Sequence, residues 1–359
     1  MKIPINYPFV GKEEIREVTS VLTEKSLTSA ANEGGKRVQQ FENLLSKFVK
    51  SKYAVAVNSG TSALQASLYA IGIKPGDEVL IPSFTFVATA NSVKSVGAKP
   101  IFVDILKENY TIDPSDLKNK ITKRTKAIIP VHLYGNVAFM DEILEIAQKN
   151  NLKIIEDASQ SLGSKLNKKH TGTFADLGCF SMYAAKVMTA GEGGAVVTNN
   201  KKLFEKLRLI RNHGFSKNHA TISFGLNLRL PEINAAIAKI QIKKLPLMLK
   251  QRKNNAKILT ELLSGNKINL PQTRKNETVN WYLFTIAIKN RAKVMKKLNS
   301  VGIGSAVYYN PPIHKTPYYK TRTKLPNTEW AASNLLSLPV HPNVKKTDLQ
   351  KMKKILETS

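Results

Sequence analysis

The sequence is poor in cysteine, in acidic residues and in long apolar runs. Its single cysteine, Cys179, excludes an internal disulfide bond. No run approaches the roughly 20 apolar residues that a membrane-spanning helix needs. The segment MKIPINYPFVGKEE at residues 1–14 lacks the apolar core of a signal peptide. We therefore expect a protein of the reducing cytoplasm with no membrane span.

Acidic residues are scarce: 26 Asp and Glu stand against 55 Lys and Arg, a net charge of +29. The densest lysine runs lie at 118–126, 165–169 and 345–354, and none alternates with the aromatic side chains that stack on bases. Zinc-ligand spacing and RNA-binding signatures are also missing. We predict no metal site and no specific nucleic-acid partner. The charge is a general property of a lysine-rich chain, with the attraction of anionic substrates as a by-product.

The chain also lacks a GxGxxG segment after any predicted strand, so a dinucleotide-binding fold is unsupported. From residue 53 onward, short apolar strands alternate with helices, which is typical of an α/β fold with a mostly parallel sheet between helices. After residue 250, a strong strand at 281–288, a second at 305–309 and further helices predict a small α+β unit. We predict a large domain over 1–249 and a small C-terminal domain over 250–359. Pro246 is expected to kink or stop a helix at 231–244, and another helix is predicted at about 247–264.

Lys186 stands out among the many lysines because no charged residue lies within four positions of it. Small and apolar residues precede it, and a glycine-rich turn (191–194) and a buried strand (195–198) follow. A lysine in apolar surroundings loses its proton more readily, and the neutral amine attacks carbonyl groups. This stretch alone is equally consistent with a lysine that extends to solvent.

A candidate anion site lies where the strand at 53–57 turns into a helix. The turn presents Gly60, Thr61 and Ser62, whose free N–H groups and hydroxyls, together with the helix dipole, favour a phosphate. Ordinary N-capping is the alternative. Asp157 directly follows another apolar strand, at 152–155. It is either a partly buried carboxylate that pairs with a cation or a helix N-cap.

These features occur in one order along the chain: a phosphate site, an aromatic ring at a helix start (Phe86), a strand-end carboxylate (Asp157) and an isolated lysine (Lys186). Pyridoxal phosphate needs all four. Its phosphate needs donors, its flat ring a stacking partner, its ring nitrogen a carboxylate and its aldehyde a lysine.

Eight segments in this order resemble the DegT-type nucleotide-sugar aminotransferases, a family of fold-type I pyridoxal-phosphate enzymes, over nearly the whole chain: FENLLSKF, NSGTSAL, PSFTFVATANSV, PVHLYGN, IIEDASQSLGS, GCFSMYAAKVMTAGEGGAVVT, GLNLRLPEINAAIAKIQ and YYNPPIH. The resemblance implies a Schiff base on Lys186 as the catalytic residue. It also implies cofactor contacts, which include a partner for the ring nitrogen, a residue near the ring hydroxyl and a residue that reaches the phosphate of the partner subunit: Gly60, Thr61, Ser62, Phe86, Asp157, Gln160, Ser181 and Asn227.

In these assignments Asp157 pairs with the ring nitrogen, Gln160 lies near the ring hydroxyl, and Asn227 reaches across a homodimer with shared active sites. The resemblance further implies transfer of an amino group, most plausibly from glutamate, to a keto group of a nucleotide-linked deoxysugar. For Arg229, Tyr309 and His314 it suggests substrate contacts, with a structural role as the alternative. Another pyridoxal-phosphate reaction such as sugar dehydration, or an inactive regulatory protein of the same fold, remains open. Dehydratase relatives replace the lysine with histidine, and Lys186 argues against that reading.

Overall fold

The computed structural model describes residues 2–216, 218, 220–265 and 268–357. Its α-helices are α1 (Lys12–Thr23), α2 (Lys36–Val49), α3 (Gly60–Ala70), α4 (Ala88–Ser95), α5 (Pro114–Asn119), α6 (Met140–Lys149), α7 (Lys201–Arg211), α8 (Glu232–Leu263), α9 (Arg291–Ser300), α10 (Pro326–Asn334) and α11 (Lys346–Glu357). Its strands are β1 (Tyr53–Val57), β2 (Glu78–Pro82), β3 (Lys99–Val103), β4 (Thr125–Ile128), β5 (Lys153–Asp157), β6 (Lys165–Leu166), β7 (Lys169–His170), β8 (Leu177–Ser181), β9 (Gly194–Thr198), β10 (Glu277–Thr278), β11 (Phe284–Ala287) and β12 (Leu335–Leu338).

A central sheet of seven strands has the order β1-β9-β8-β5-β4-β2-β3. Strand β9 runs antiparallel to both of its neighbours, and the other pairings are parallel. The strands are apolar along their length because helices cover both faces of the sheet, as in other parallel sheets. The predicted α/β fold with a mostly parallel sheet is confirmed.

The topology brings four polar turns to one edge of this sheet. Strands β1, β2, β5 and β8 point the same way, so the turns that follow them meet at the carboxyl edge. Ligands bind at this edge in open α/β sheets. The edge carries Gly60 after β1, Phe86 after β2, Asp157 at the end of β5 and Ser181 at the end of β8.

The C-terminal part builds a second, separate apolar core. The antiparallel pair of β11 and β12 packs there with α9, α11 and the end of α8, and the core is filled by residues such as Leu259, Phe284 and Met352. Ile3 also belongs to this part, since it pairs with Ile303 in a parallel bridge. The division at residue 249 falls inside α8 and stays a prediction.

The prediction of two helices around Pro246 is wrong, because α8 runs unbroken from Glu232 to Leu263 with that proline inside it. Proline removes one helical hydrogen bond. Leu245 and Met248 are buried beside it, and the helix packs against α1, α2 and α11, so tertiary packing offsets the loss. Although α8 is long, no helix in the described part of the chain is long and apolar enough to cross a bilayer.

The strand predicted at 305–309 is also wrong. Only Ala306 pairs, in a single bridge with Ser337. The apolar and aromatic residues there have strand propensity, but Tyr308 and Tyr309 turn toward the sheet edge instead, where they line a cavity.

Candidate active site

A cavity of about 390 Å³ opens at the carboxyl edge of the central sheet. Its size is that of a small-molecule site. Its walls combine small polar residues, one lysine, two carboxylates and five aromatic rings: Ser59, Gly60, Thr61, Leu64, Thr85, Phe86, Ala88, Thr89, Val131, Asp157, Ser159, Gln160, Ser181, Tyr183, Ala185, Lys186, Glu192, Tyr282, Tyr308 and Tyr309. Most of the residues predicted to bind the cofactor therefore share one cavity.

One end of the cavity is the N-terminus of α3. Ser59 caps the helix by accepting the N–H of Ser62 at 3.0 Å. Within the described residues, the N–H groups of Gly60 and Thr61 have no acceptor. A Cβ on Gly60 would lie 2.8 Å from the Cβ of Ser181, so only glycine lets β8 approach the helix this closely. Free N–H groups, a helix dipole and the Ser181 hydroxyl together suit a phosphate.

Ser62 itself does not line the cavity. Its hydroxyl donates to the side-chain oxygen of Asn58 at 2.6 Å and lies 2.9 Å from the Ser59 hydroxyl. Its predicted contact with the cofactor stays a prediction, and its observed bonds serve the helix cap.

The cavity wall also carries a buried carboxylate. Asp157 is 5% exposed and accepts the Thr89 hydroxyl at 2.9 Å and the N–H of Ser159 at 3.2 Å. Both bonds leave acceptor capacity on the carboxylate, because each oxygen has two lone pairs. A buried carboxylate of this kind is stabilised by a cationic N–H, such as a protonated pyridine nitrogen.

Lys186 projects into the same cavity. Its Nζ lies 5.0 Å from the centroid of the Tyr282 ring. Burial lowers the pKa of Lys186 to about 8, while the nearby charge of Asp157 acts in the opposite direction. A larger fraction of this amine is neutral near pH 7 than for an ordinary lysine, and the neutral amine is the form that attacks a carbonyl.

Gln160, Phe86 and Tyr309 also line the cavity. The Gln160 amide oxygen accepts the N–H of Tyr134 at 2.9 Å, and its nitrogen donates to the Tyr309 hydroxyl at 3.0 Å. Phe86 is 56% exposed, and its ring centroid lies 6.0 Å from that of Tyr309. An open aromatic face at this place suits a flat ring as a stacking partner.

Besides Ser62, three more predicted residues lie outside the cavity wall. Asn227 is exposed, and Arg229 donates to Asn212 at 2.8 Å. His314 is fully buried, with its two ring nitrogens 2.7 Å from the Ser83 hydroxyl and 3.2 Å from a carboxylate oxygen of Glu329. Burial lowers the pKa of His314. Its position supports the structural alternative and not a direct substrate contact.

Several residues of the cavity were missed by sequence reasoning. Thr89, the partner of Asp157, lies 68 positions before it and inside a helix. Tyr282 faces Lys186 from a segment 96 positions after it. No local sequence pattern marks Thr89 or Tyr282, because both contacts depend on how distant segments of the chain pack together. The sequence predicts the glycine-rich turn that holds Glu192 but indicates no role for its carboxylate.

Known proteins match this chain over nearly its full length. The model of the DegT/DnrJ/EryC1/StrS aminotransferase family matches residues 8–357. A protein named pleiotropic regulatory protein, from Geobacillus stearothermophilus, is 37% identical over 324 residues, which cover 88% of this chain and 87% of that protein. A UDP-N-acetyl-3-dehydro-α-D-glucosamine 3-aminotransferase from Acidithiobacillus ferrooxidans is 38% identical over 307 residues, which cover 85% of this chain and 83% of that protein.

Among solved structures, S. venezuelae DesV in complex with a ketimine intermediate matches with a TM-score of 0.93 and 32% identity, covering 99% of this chain and 98% of that one. The matched region includes every group of the cavity, from the helix α3 cap to the tyrosines after residue 280. Since the family match, the fold and the lysine–carboxylate cavity agree, the chain belongs to the DegT/DnrJ/EryC1/StrS aminotransferase family and uses pyridoxal phosphate as its cofactor.

Proposed function

We propose that this enzyme transfers an amino group from glutamate to the keto group of a nucleotide-linked deoxysugar, in nucleotide-sugar or cell-surface polysaccharide biosynthesis. The observation that carries the proposal is the presence of Lys186, with its lowered pKa, in one cavity with Asp157 and the free N–H groups of Gly60 and Thr61. The name of the 38%-identical relative from A. ferrooxidans, a keto-sugar nucleotide aminotransferase, supports the substrate class.

The cavity residues fit the cofactor in the following arrangement. Gly60, Thr61 and Ser181 would bind the phosphate, Asp157 would pair with the ring nitrogen, and Phe86 would stack on the ring. When bound, pyridoxal phosphate supplies an aldehyde that takes up the amino group and a ring that withdraws electrons from it. Thr89 and Ser159 hold the Asp157 carboxylate in place, so that it would need no rearrangement to pair with the ring nitrogen.

Lys186 has two tasks in this proposal. Its Nζ holds the cofactor before substrate arrives. In its unattached form the amine would take the proton from the donor α-carbon as a base and pass it on as an acid, and in the second half of the reaction it would carry a proton in the reverse direction to the acceptor carbon. Its lowered pKa suits both directions, since a general base works best with a pKa near the operating pH. Alternating release of keto acid and uptake of keto sugar gives ping-pong kinetics.

We further propose a cytoplasmic homodimer with active sites at the interface. Asn227 supports this assembly, because it is exposed on a segment next to the N-terminus of α3, where its main-chain oxygen lies 3.5 Å from the Asn58 amide. Exposed apolar side chains on the same segment, Ile222 and Phe224, also favour burial against another surface.

The first experiment tests the cofactor and the lysine. The purified protein is expected to be yellow, and borohydride treatment is expected to fix the cofactor on the peptide that contains Lys186, as read by mass spectrometry. Lys186→Ala is expected to lose covalent attachment and all amino transfer, whereas Lys253→Ala, an exposed lysine of α8, keeps both. Attachment to a different lysine would refute the assigned role.

The second experiment tests the substrate class. Purified enzyme is given glutamate and a panel of keto sugars linked to UDP, dTDP or GDP, and the products are identified by mass. A mass change from ketone to amine on one sugar nucleotide, with release of 2-oxoglutarate, is the expected result. If only free amino and keto acids react, the acceptor class is wrong.

A regulatory role is the second candidate, since one relative carries a regulatory name and the chain is strongly basic. Complementation of a gene deletion in cells distinguishes the two functions. If deletion of the gene is complemented by Lys186→Ala as well as by the wild type, the cellular role is not the amino transfer. Steeply salt-dependent binding of the purified protein to a preferred DNA sequence would favour regulation.

A further inference from the structure

Tyr282 has no role in the steps above, yet its ring faces the Lys186 amine. The 5.0 Å between Nζ and the ring centroid lies within the roughly 6 Å at which an aromatic face attracts a cation. Tyr282 is 7% exposed, and burial raises the pKa of its phenol, so the ring stays neutral. The amine therefore has a fixed, electron-rich surface on one side.

The backbone of Tyr282 is held from both sides by buried polar side chains. Its N–H donates to Asn280 Oδ1 at 2.9 Å, and its carbonyl accepts from Arg252 Nη1 at 3.2 Å. Arg252 also donates to the carbonyl of Trp281 at 3.2 Å. Asn280 and Arg252 are 2% and 1% exposed and do not line the cavity. The buried side chains of Asn280 and Arg252 therefore fix the backbone position of Tyr282.

Arg252 is an unusual residue for a buried position. Among the described residues it has no carboxylate partner, and burial lowers its pKa to about 10. A buried charge without a counter-charge is costly to the fold. Three hydrogen bonds offset part of this cost, and two of them fix the carbonyls of Trp281 and Tyr282.

Asn280 links the same residue to the cofactor side of the cavity. Its amide nitrogen donates to the carbonyls of Gln160 at 2.9 Å and Leu162 at 3.1 Å. The Asn280 oxygen lies against Gly135, where a Cβ would come within 2.1 Å of it. The side chain is therefore fixed at both ends, and it holds Tyr282 at a set distance from the segment that carries Gln160.

We propose that Tyr282 is a positioning residue for Lys186, and that Asn280 and Arg252 hold its ring against the amine. This inference rests on the proposed role of Lys186 as the group that moves the proton. The ring face favours the ammonium form that Lys186 takes after it accepts a proton, and the ring bounds the space in which the amine swings when it is released from the cofactor.

The test measures the titration of Lys186 in the cofactor-free protein. Competitive acetylation between about pH 6 and pH 10, read on the Lys186 peptide by mass spectrometry, gives the midpoint at which the amine becomes reactive. Tyr282→Leu is expected to lower this midpoint by about half a pH unit, the size of one ring–cation contact, and Tyr282→Phe is expected to leave it in place. The other charged groups of the cavity, Asp157 and Glu192, and the tyrosines Tyr308 and Tyr309 are unchanged in these variants.

Tyr183→Leu is the matched control, since Tyr183 also lines the cavity and no cation–ring contact joins it to Lys186 among the described residues. Its midpoint is expected to equal that of the wild type. Arg252→Met and Asn280→Ala keep the ring but free one side of its backbone, and each is expected to shift the midpoint in the same direction as Tyr282→Leu.

An unshifted or raised midpoint in Tyr282→Leu, or an equal shift in Tyr183→Leu, would overturn the inference. If Tyr282→Leu does not fold, Asn280→Ala decides: a wild-type midpoint there overturns it. Failure of the proposed function looks different, because a protein that shows these shifts but performs no amino transfer keeps the role of Tyr282 and loses the reaction.

Discussion

At the scale of single residues, the cavity places Lys186 where its charge is disfavoured. The pKa of Lys186 falls from 10.5 to about 8 through burial, so the folded protein binds this proton more weakly than the unfolded chain does. Below about pH 8 Lys186 is charged in both states, and the full cost of burying that charge lowers the free energy of unfolding. Between pH 8 and 10.5 this cost disappears, because the folded protein is already neutral at Lys186 and the unfolded chain loses the proton only as the pH nears 10.5. The chemistry of the lysine and the stability of the fold are therefore opposed.

We expect Lys186→Met to raise the free energy of unfolding of the cofactor-free protein at pH 7 by roughly 1–3 kcal/mol. The gain is smaller than the pKa change alone would give, because the Lys186 residue is partly exposed and solvent screens its charge. The gain should shrink as the pH rises toward 10.5. Urea denaturation at pH 7 and at pH 10 measures it. Lys253→Met, at an exposed position, is expected to stay within about 0.5 kcal/mol at both pH values. A gain independent of pH would mean that the charge is not its source.

The residues that could be predicted from the sequence are those whose chemistry depends on their neighbours in the chain. Lys186 was identifiable because its local segment is apolar, and Gly60 because a strand, a turn and a helix follow one another there. Thr89 and Tyr282 could not be found this way. Their roles depend on contacts with Asp157 and Lys186 that only the packing of distant segments creates.

At the scale of elements, helix α8 organises the start of helix α2. Gly35, the residue before α2, has no side chain to cap the helix. The carboxylate of Glu232, at the start of α8, does so instead and accepts the N–H groups of Arg37 at 2.8 Å and Val38 at 3.1 Å. A Cβ on Gly35 would lie 2.4 Å from this carboxylate, which explains the glycine.

Glu232→Ala is expected to lower the free energy of unfolding by about 2–4 kcal/mol, because two hydrogen bonds to a buried charge are lost and two N–H groups are left unpaired. Thermal or urea denaturation measures the loss. Glu142→Ala, which removes an exposed acid from the first turn of α6, is expected to cost no more than about 0.5 kcal/mol. Equal costs at the two positions would show that the cap contributes little.

The elements that the sequence mispredicted share one cause. Pro246 is a correct local signal for a helix break, and the β-branched and aromatic residues at 307–309 are a correct local signal for a strand. In both places tertiary contacts decide otherwise: α8 is held by three other helices, and Tyr309 bonds to Gln160 across the cavity. Local propensity is a weak guide where long-range packing is extensive.

At the scale of the whole molecule, the positive charge is unevenly distributed. Residues 250–359 contain 21 Lys and Arg against 5 Asp and Glu, so this part carries +16 of the net +29. The same part supplies Tyr282, Tyr308 and Tyr309 to the cavity wall. An anionic substrate that approaches the cavity therefore moves toward the more positive part of the protein.

We expect kcat/KM for the nucleotide-linked sugar to fall several-fold as sodium chloride is raised from about 0.05 to 0.3 M, because salt screens the attraction of its two phosphate charges. The value for glutamate, with one net negative charge, should fall less. Steady-state kinetics with each substrate varied in turn measures both slopes, and sucrose of equal osmolality serves as the control. Equal slopes would show that the charge does not guide the substrate.

The pairing of Ile3 with Ile303 has a consequence for how the protein is made. In translation Ile3 precedes its partner by 300 residues, and Arg252 bonds to Asn6 in the same region. The ribosome adds about 5–20 residues per second. The early segment must therefore wait for roughly 15 to 60 seconds, unpaired, until its binding surface has been synthesised. Tyr282 and the Arg252 and Asn280 side chains that hold it also lie late in the chain, so all seven strands of the central sheet are synthesised well before Lys186 can meet the ring of Tyr282.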